Sequence, residues 1–212
     1  KLIKNKKIIG FINCPISKEF LFKKKHQGIT EFLSKKSGIL GSEVMLIFNK
    51  KLSVSPLTTH IPLNKVNSKI KKSIIVQKVK VINAFYKKVF NTKPNFAILG
   101  LNPHNFSPLK KSIEKQVIKK AIINLKKNNI SVVGPLPTDS SFMISQKKKI
   151  DVIIGMYHDQ VLTPFKALFN YNAINITLGL PYIRISPDHG VGDDIVGKKI
   201  ANPESLIESI KF

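Results

Sequence analysis

The sequence of 212 residues is poor in cysteine, tryptophan, arginine and acidic residues, and it has no long apolar run. Its single cysteine, Cys14, excludes both a disulfide framework and a zinc site built from cysteines. No stretch approaches the roughly 18–20 apolar residues of a membrane-spanning helix, and no secretory signal follows the basic start. These absences predict a globular protein of the cytoplasm that has no membrane partner.

Acidic residues are also few, because 12 Asp plus Glu stand against 36 Lys plus Arg, which gives a formal charge of +24. All but one of the basic residues are lysines, and they are spread along the whole chain. A protein that binds DNA or RNA more often clusters its basic residues and uses arginine for bidentate and stacking contacts. We therefore interpret the charge as the composition of an A/T-rich genome and expect no nucleic acid partner. The positive field can still help to attract an anionic substrate.

Short apolar runs alternate with helical patterns along the chain, which predicts an α/β fold with a mostly parallel sheet and flanking helices. The predicted strands are 8–16, 44–48, 52–57, 96–101, 130–133, 151–156, 174–178 and 183–185. The predicted helices are one long or two short helices over 66–89, then 113–125, 140–148, a short helix that opens at Thr163-Pro164, and 205–210.

Three of the five histidines, His60, His104 and His158, each come just after the carboxyl end of a predicted strand. Such ends meet at one edge of a parallel sheet, where ligands bind. Three neutral imidazoles at this edge can bind a divalent metal ion and leave positions open for a substrate. The alternative is that each histidine is an ordinary loop residue. Asp159 follows His158 directly, and it either orients that imidazole or caps a helix.

Lys166, Asn175 and Arg184 lie after these histidines and form a candidate anion-binding set. Arg184 is the only arginine in a chain that otherwise uses lysine. A planar guanidinium can bind phosphate or carboxylate through two parallel hydrogen bonds, which lysine cannot do. The alternative is an arginine retained by chance on an exposed strand. Neither a P-loop nor a Gly-x-Gly-x-x-Gly motif occurs, so neither of these phosphate-binding loops is expected.

Seven short segments occur in the order in which one enzyme family carries them. They are 28–33, 58–63, 100–104, 134–139, 157–160, 175–184 and 188–190. Together they resemble the 4-hydroxythreonine-4-phosphate dehydrogenase family of pyridoxal phosphate biosynthesis, of which the chain corresponds to the carboxy-terminal two thirds. Each segment is weakly specific alone, but the set in this order is highly specific.

The resemblance implies a homodimer whose α/β fold is related to isocitrate and isopropylmalate dehydrogenases. Two subdomains then surround a cleft at the dimer interface. Residues 1–24 and 186–212 correspond to the remainder of the subdomain on the cofactor side. Residues 25–185 correspond to the subdomain for substrate, metal and dimerisation.

The resemblance also implies an activity, the oxidation of the secondary alcohol of 4-phosphooxy-L-threonine with NAD or NADP, followed by decarboxylation to 3-amino-2-oxopropyl phosphate. The family's metal ligands correspond to His60, His104 and His158, and the third of these comes from the partner subunit. The implied metal is one zinc, magnesium or cobalt ion. Substrate-binding positions correspond to Thr30, Asp139, Lys166, Asn175 and Arg184. Asp139 and Lys166 are the candidate catalytic residues, and the cofactor side corresponds to His189, Gly190, Val191 and Asp194.

Two departures from the family pattern bear on the substrate and the metal. Ile29 stands where the family commonly has a histidine, so an apolar side chain replaces a polar substrate contact. Residues 105–107 read Asn-Phe-Ser where the family usually has Ala-Gly-Glu, which removes a carboxylate near the metal. These departures keep two alternatives open. One is a sister dehydrogenase for another phosphorylated hydroxy acid, such as 4-phosphothreonate or 4-phosphoerythronate, and the other is a non-catalytic remnant.

Overall fold

A computed structural model describes residues 7–17, 29–105 and 112–212 and divides the chain into two compact units. The first unit combines Lys1–Asn49 with Leu168–Phe212, and the second is the continuous segment Lys50–Ala167. These limits differ from the predicted boundaries after residues 24 and 185. The predicted boundaries assign one part of the chain to the cofactor and the other to the substrate. The two compact units do not test this assignment, so it stays a prediction.

Strands and helices alternate along most of the described chain. The strands are β1 (Gly10–Ile12), β2 (Val44–Phe48), β3 (Ser53–Thr58), β4 (Phe96–Leu99), β5 (Val132–Leu136), β6 (Val152–Tyr157), β7 (Ile174–Leu178) and β8 (Ile183–Pro187). The helices are α1 (Ile29–Lys36), α2 (Leu63–Lys69), α3 (Lys72–Phe90), α4 (Lys119–Lys127), α5 (Thr138–Lys147), α6 (His158–Phe169) and α7 (Glu204–Lys211). A π-helical turn over Glu114–Ile118 precedes α4, and short 3-10 turns lie at Pro103–Asn105 and Asp193–Ile195.

The sheet of the second unit is parallel throughout and has the spatial order β3-β6-β4-β5. Strands β4 and β6 are nearly continuous apolar runs, and every residue of β4 is buried. Helix α3 packs on β3 and on α4, and it buries Ile75, Val79 and Ile82. Each such side chain contributes about 1.5–3 kcal/mol when it leaves water. This core fixes where the strands end, and therefore where the residues after them lie.

The strands of the first unit have the spatial order β1-β8-β7-β2. β1 is parallel to β8, whereas β7 is antiparallel to both β8 and β2. The predicted α/β class with mostly parallel strands is confirmed. Among the residues that the structure places, no helix is both long enough and apolar enough to cross a membrane.

Three element predictions were wrong in detail. The first strand is short, Gly10–Ile12, rather than 8–16. Strand β5 continues through Gly134, where the chain bulges with a φ of 136° that side-chain-bearing residues rarely adopt. Helix α6 begins at His158, and Pro164 lies inside it, because the helical pattern of buried residues continues on both sides of the proline, with Val161 before it and Phe165 after it. Helix α1 was not predicted as a helix.

Candidate functional site

The carboxyl edge of the parallel sheet in the second unit carries the three predicted metal-binding histidines. His60 comes two residues after β3, His158 begins α6 directly after β6, and His104 lies in the 3-10 turn after β4. Because β3, β6 and β4 are adjacent in the sheet, the three histidines follow neighbouring strand ends. Asp139 follows β5, the next strand along the same edge.

His60 and His158 lie beside each other, with their ring centroids 6.1 Å apart. Nδ1 of His158 donates a hydrogen bond of 2.7 Å to Oδ1 of Asp159. A carboxylate on one ring nitrogen fixes the orientation of an imidazole and makes the other nitrogen, Nε2, the one that can accept a metal. Asp159 was predicted either to orient the imidazole of His158 or to cap a helix. The structure shows the contact with the imidazole that the first role needs.

His104 lies with Asp139 instead, and its Nδ1 is 3.6 Å from Oδ2 of that residue. Both side chains are largely exposed, at 76% and 62%. The backbone of His104 is left-handed, with φ 52° and ψ 20°, a conformation that costs a residue with a side chain about 1–3 kcal/mol and clusters at functional sites. Within residues 7–17, 29–105 and 112–212, no three His, Cys, Asp or Glu side chains form a group that could hold a metal ion. The three-histidine metal site therefore stays a prediction.

The carboxamide of Gln160 connects three strand ends of this edge, and sequence reasoning did not assign it a role. The side chain is only 5% exposed. Its Oε1 accepts a hydrogen bond from the backbone N–H of Met156 (2.6 Å). Its Nε2 donates to the carbonyl oxygen of Gly100 (2.7 Å) and to Oγ1 of Thr138 (2.8 Å). The only sequence signal was its position in the segment 157–160 of the resemblance.

A buried carboxylate, Glu114, supports the loop that leads to His104. Its Oε1 accepts hydrogen bonds from the backbone N–H groups of Leu101 (3.2 Å) and Asn102 (3.0 Å) and from Nδ2 of Asn102 (2.9 Å). Burial raises the pKa of Glu114, but these hydrogen bonds outweigh it, so the pKa lies below its ordinary value. The carboxylate is therefore charged at neutral pH. Sequence reasoning missed this residue as well.

The predicted substrate residues Thr30, Asn175 and Arg184 all belong to the first unit, on α1, β7 and β8. Arg184 is only 2% exposed, so the alternative of a chance residue on an exposed strand is wrong. Its Nε donates to Oδ1 of Asn13 (2.8 Å) and its Nη1 donates to Oγ1 of Thr177 (2.9 Å). Oδ1 of Asn175 is buried and has no hydrogen-bond partner among the residues that are described.

Burial is the main influence on the charge of Arg184. It lowers the pKa of the guanidinium to about 10, while the charges of Glu31 and Tyr182 raise it. The group is still positively charged at neutral pH. A buried cation needs charged or strongly polar partners to offset its lost hydration, and an anionic ligand can supply them.

The remaining predicted site residues lie in two places. Lys166 is half-buried on α6, in the same unit as Asp139 and the three histidines. His189, Gly190, Val191 and Asp194 lie after β8 on a loop whose last three members are exposed. Nδ1 of His189 donates to the carbonyl oxygen of Gly190 (2.8 Å). The His189 ring lies edge-on to the ring of Tyr171, with the ring centroids 6.1 Å apart.

The chain is similar to known proteins along its whole length. It matches the family described as pyridoxal phosphate biosynthetic protein PdxA over residues 1–212. It is 43% identical to the 4-hydroxythreonine-4-phosphate dehydrogenase of Sulfurihydrogenibium sp. (strain YO3AOP1), over 100% of this chain and 66% of the relative. Across the first three curated relatives, the chain spans 60% to 66% of their length.

Solved structures show the same similarity. The crystal structure of 4-hydroxythreonine-4-phosphate dehydrogenase from Klebsiella pneumoniae matches with a TM-score of 0.81 and 32% identity, over 99% of this chain and 65% of that one. Isocitrate dehydrogenase from Methylococcus capsulatus matches with a TM-score of 0.58 and 12% identity, over 97% of this chain and 67% of that one. The second match concerns the fold alone, and it confirms the predicted similarity of the fold to that of isocitrate dehydrogenase.

Proposed function

The chain belongs to the family of pyridoxal phosphate biosynthetic protein PdxA, and from this we propose that it oxidises 4-phosphooxy-L-threonine with NAD or NADP in the cytoplasm. The product, 2-amino-3-oxo-4-phosphooxybutanoate, would then lose carbon dioxide to give 3-amino-2-oxopropyl phosphate. The observation that carries this proposal is the placement of His60, His158 and His104 after three adjacent parallel strands. The activity is proposed for a chain that spans 60% to 66% of the length of its relatives.

The donor set fits one divalent zinc, magnesium or cobalt ion. His60 and His104 lie at the carboxyl edge of one parallel sheet, and Asp159 orients the ring of His158 through its hydrogen bond. We infer that His60 and His104 hold the ion together with His158 of the partner subunit in a homodimer. This sharing is what the resemblance to the family implies. When bound, the ion would act as a Lewis acid on the substrate oxygen and the nicotinamide would accept a hydride.

The chain's own polar groups supply binding and proton transfer in this proposal. The guanidinium of Arg184 and the ammonium of Lys166 would bind anionic groups of the substrate. The buried Oδ1 of Asn175 would accept a hydrogen bond from a substrate donor, and the hydroxyl of Thr30 would add another polar contact. The carboxylate of Asp139, 62% exposed, would take the hydroxyl proton and pass it to water.

The loop after β8 would contact the cofactor. Asp194 is exposed, and a carboxylate can accept hydrogen bonds from ribose hydroxyls. His189 presents a ring against which a base can stack, while Gly190 and Val191 lie between the two on the chain. A Cβ at Gly190 would meet no other atom within 4 Å, so the backbone there has open space beside it. These four loop residues therefore suit the adenosine part of NAD or NADP.

One observation favours a sister dehydrogenase for another phosphorylated hydroxy acid. Ile29 is the first residue of α1 and is half-buried beside Thr30. An apolar side chain there cannot donate a hydrogen bond to a substrate. A phosphorylated threonate or erythronate carries a hydroxyl in place of the amino group of 4-phosphooxy-L-threonine, so it needs a different set of polar contacts and is compatible with this change.

The test is to incubate the purified chain with 4-phosphooxy-L-threonine and NAD or NADP, with and without a divalent metal, and to follow the reduced nicotinamide. We expect reduction only when metal is present. Reduction with 4-phosphothreonate or 4-phosphoerythronate alone would instead identify the sister activity. A folded chain that binds metal and reduces neither cofactor with any of these substrates would contradict the proposal.

A further inference from the structure

The amide of Gln160 makes its hydrogen bonds to other groups of the protein. It is buried, and its three hydrogen bonds go to Met156, Gly100 and Thr138 at distances of 2.6, 2.7 and 2.8 Å. These partners belong to three different parts of the second unit. Met156 lies in β6, Gly100 directly follows β4, and Thr138 opens α5 after β5.

Each partner lies close in sequence to a residue of the proposed site. Met156 comes two residues before His158, and Gly100 comes four residues before His104. Thr138 is directly followed by Asp139. A displacement of any one of these backbone segments would move a site side chain with it, and a displacement of 1 Å is enough to impair catalysis strongly.

The chemistry of this position requires an amide. Two acceptor oxygens face Nε2 and one N–H group faces Oε1, and a carboxamide has the donors and the acceptor to match them. A carboxylate would set an oxygen against the carbonyl oxygen of Gly100, and an aliphatic side chain would leave all three groups without this partner. Gly155 also leaves room for the amide, because a Cβ there would lie 3.1 Å from Oε1 of Gln160.

We propose that Gln160 is a positioning residue, whose carboxamide holds the ends of β4, β5 and β6 in the arrangement that His104, Asp139 and His158 need. It touches neither substrate nor metal in this role. The inference rests on the proposed function, since it assigns Gln160 to the same site. It differs from a merely structural role because it predicts a loss of metal affinity beyond the loss of stability.

The experiment compares Gln160→Met with Tyr86→Phe as a matched control. Tyr86 makes a buried hydrogen bond of 2.9 Å to Ser53, which begins β3 at the opposite edge of the sheet. Both variants lose buried hydrogen bonding in the same unit. We measure Co²⁺ binding to the chain by titration, and amide hydrogen exchange of residues 100–105 and 138–142 without metal.

We expect Gln160→Met to lose 10- to 100-fold in Co²⁺ affinity, the usual effect of removing a group that orients metal ligands. We also expect its two segments to exchange faster than in the wild type. In Tyr86→Phe both properties should stay unchanged. Wild-type Co²⁺ affinity together with exchange no faster than that of Tyr86→Phe would overturn the proposal.

Two further outcomes remain decisive. If the wild-type chain does not bind Co²⁺, the proposed metal-dependent function fails, and the exchange of the metal-free chain alone decides the positioning role. If Gln160→Met does not fold, Thr138→Val takes its place, because it removes one acceptor and leaves the other two hydrogen bonds of Gln160. We then expect faster exchange at residues 138–142, and unchanged exchange would contradict the proposal.

Discussion

The two units present their candidate functional residues in different ways. In the second unit, His104 and His158 follow strand ends, with side chains 76% and 34% exposed. In the first unit, Arg184 lies within β8, only 2% exposed, and its guanidinium bonds to Asn13 and Thr177. Residues beyond a strand end contribute little to the core, whereas a buried arginine belongs to the core and to the candidate site at once.

This comparison predicts how mutations should behave. Changes at the histidines of the second unit should remove function and leave stability nearly intact. Changes at Arg184 in the first unit should affect stability and function together. The four predictions below test this difference, from the largest expected effect to the smallest.

The largest effect is expected from His60→Ala, His104→Ala and His158→Ala. Each should abolish metal-dependent turnover, because a divalent ion held by three imidazoles loses a ligand. For the exposed His104 we expect a change in the free energy of unfolding within about 0.5 kcal/mol. Turnover assays and urea unfolding measure the two properties. Retained activity in any one variant would contradict the three-histidine site.

Mixing the variants tests whether the site is shared between subunits. In a dimer of one His60→Ala and one His158→Ala chain, a shared site gives one complete ligand set and one set that retains only His104. Turnover should therefore partly return on mixing. No return would show that His60 and His158 act from the same chain, as their 6.1 Å separation within one chain would also allow.

The sequence predicted the strands of the second unit because apolar runs mark parallel strands, and each of the three histidines comes within a few residues after one of them. It could not predict the buried contacts of Gln160, because Gly100 lies 60 residues away along the chain. It also missed the start of α6, since Pro164 resembles a helix-opening proline while burial of Phe165 extends the helix around it. Arg184 was found by residue type alone, which carries no information about its burial.

The second prediction concerns Arg184→Lys, which keeps the charge but loses the planar fork. The donors to Asn13 and Thr177 are lost together, and two hydrogen bonds of a charged group contribute about 3 kcal/mol. We expect a loss of this size in urea unfolding and a weaker affinity for the phosphorylated substrate. Thr177→Val is the matched control and should show about half of the stability loss. Near-wild-type stability and substrate affinity in Arg184→Lys would show that Arg184 does not serve the core and the candidate site at once.

The third prediction concerns Asp159→Asn in the second unit. The side chain is 76% exposed, so we expect stability to stay nearly unchanged. An amide is a poorer acceptor than a carboxylate for the N–H of His158, and weakening such a contact lowers metal affinity about 10- to 100-fold. Co²⁺ titration measures the change, with the exposed Asp193→Asn as a control that should bind like the wild type. Equal affinities in both variants would show that Asp159 does not orient the imidazole.

The smallest effect is expected from Glu114→Gln, which changes a buried carboxylate of the second unit. At neutral pH the variant should be about 1 kcal/mol less stable, because hydrogen bonds to a neutral acceptor are weaker than those to a carboxylate. The pKa of Glu114 is lowered in the folded chain, so its stabilising effect is complete above the ordinary pKa and is lost as the pH falls through the lower, folded value. The difference between wild type and variant should therefore disappear in acid. A difference in urea unfolding that persists at low pH would show that shape, rather than charge, holds Leu101 and Asn102 in front of His104.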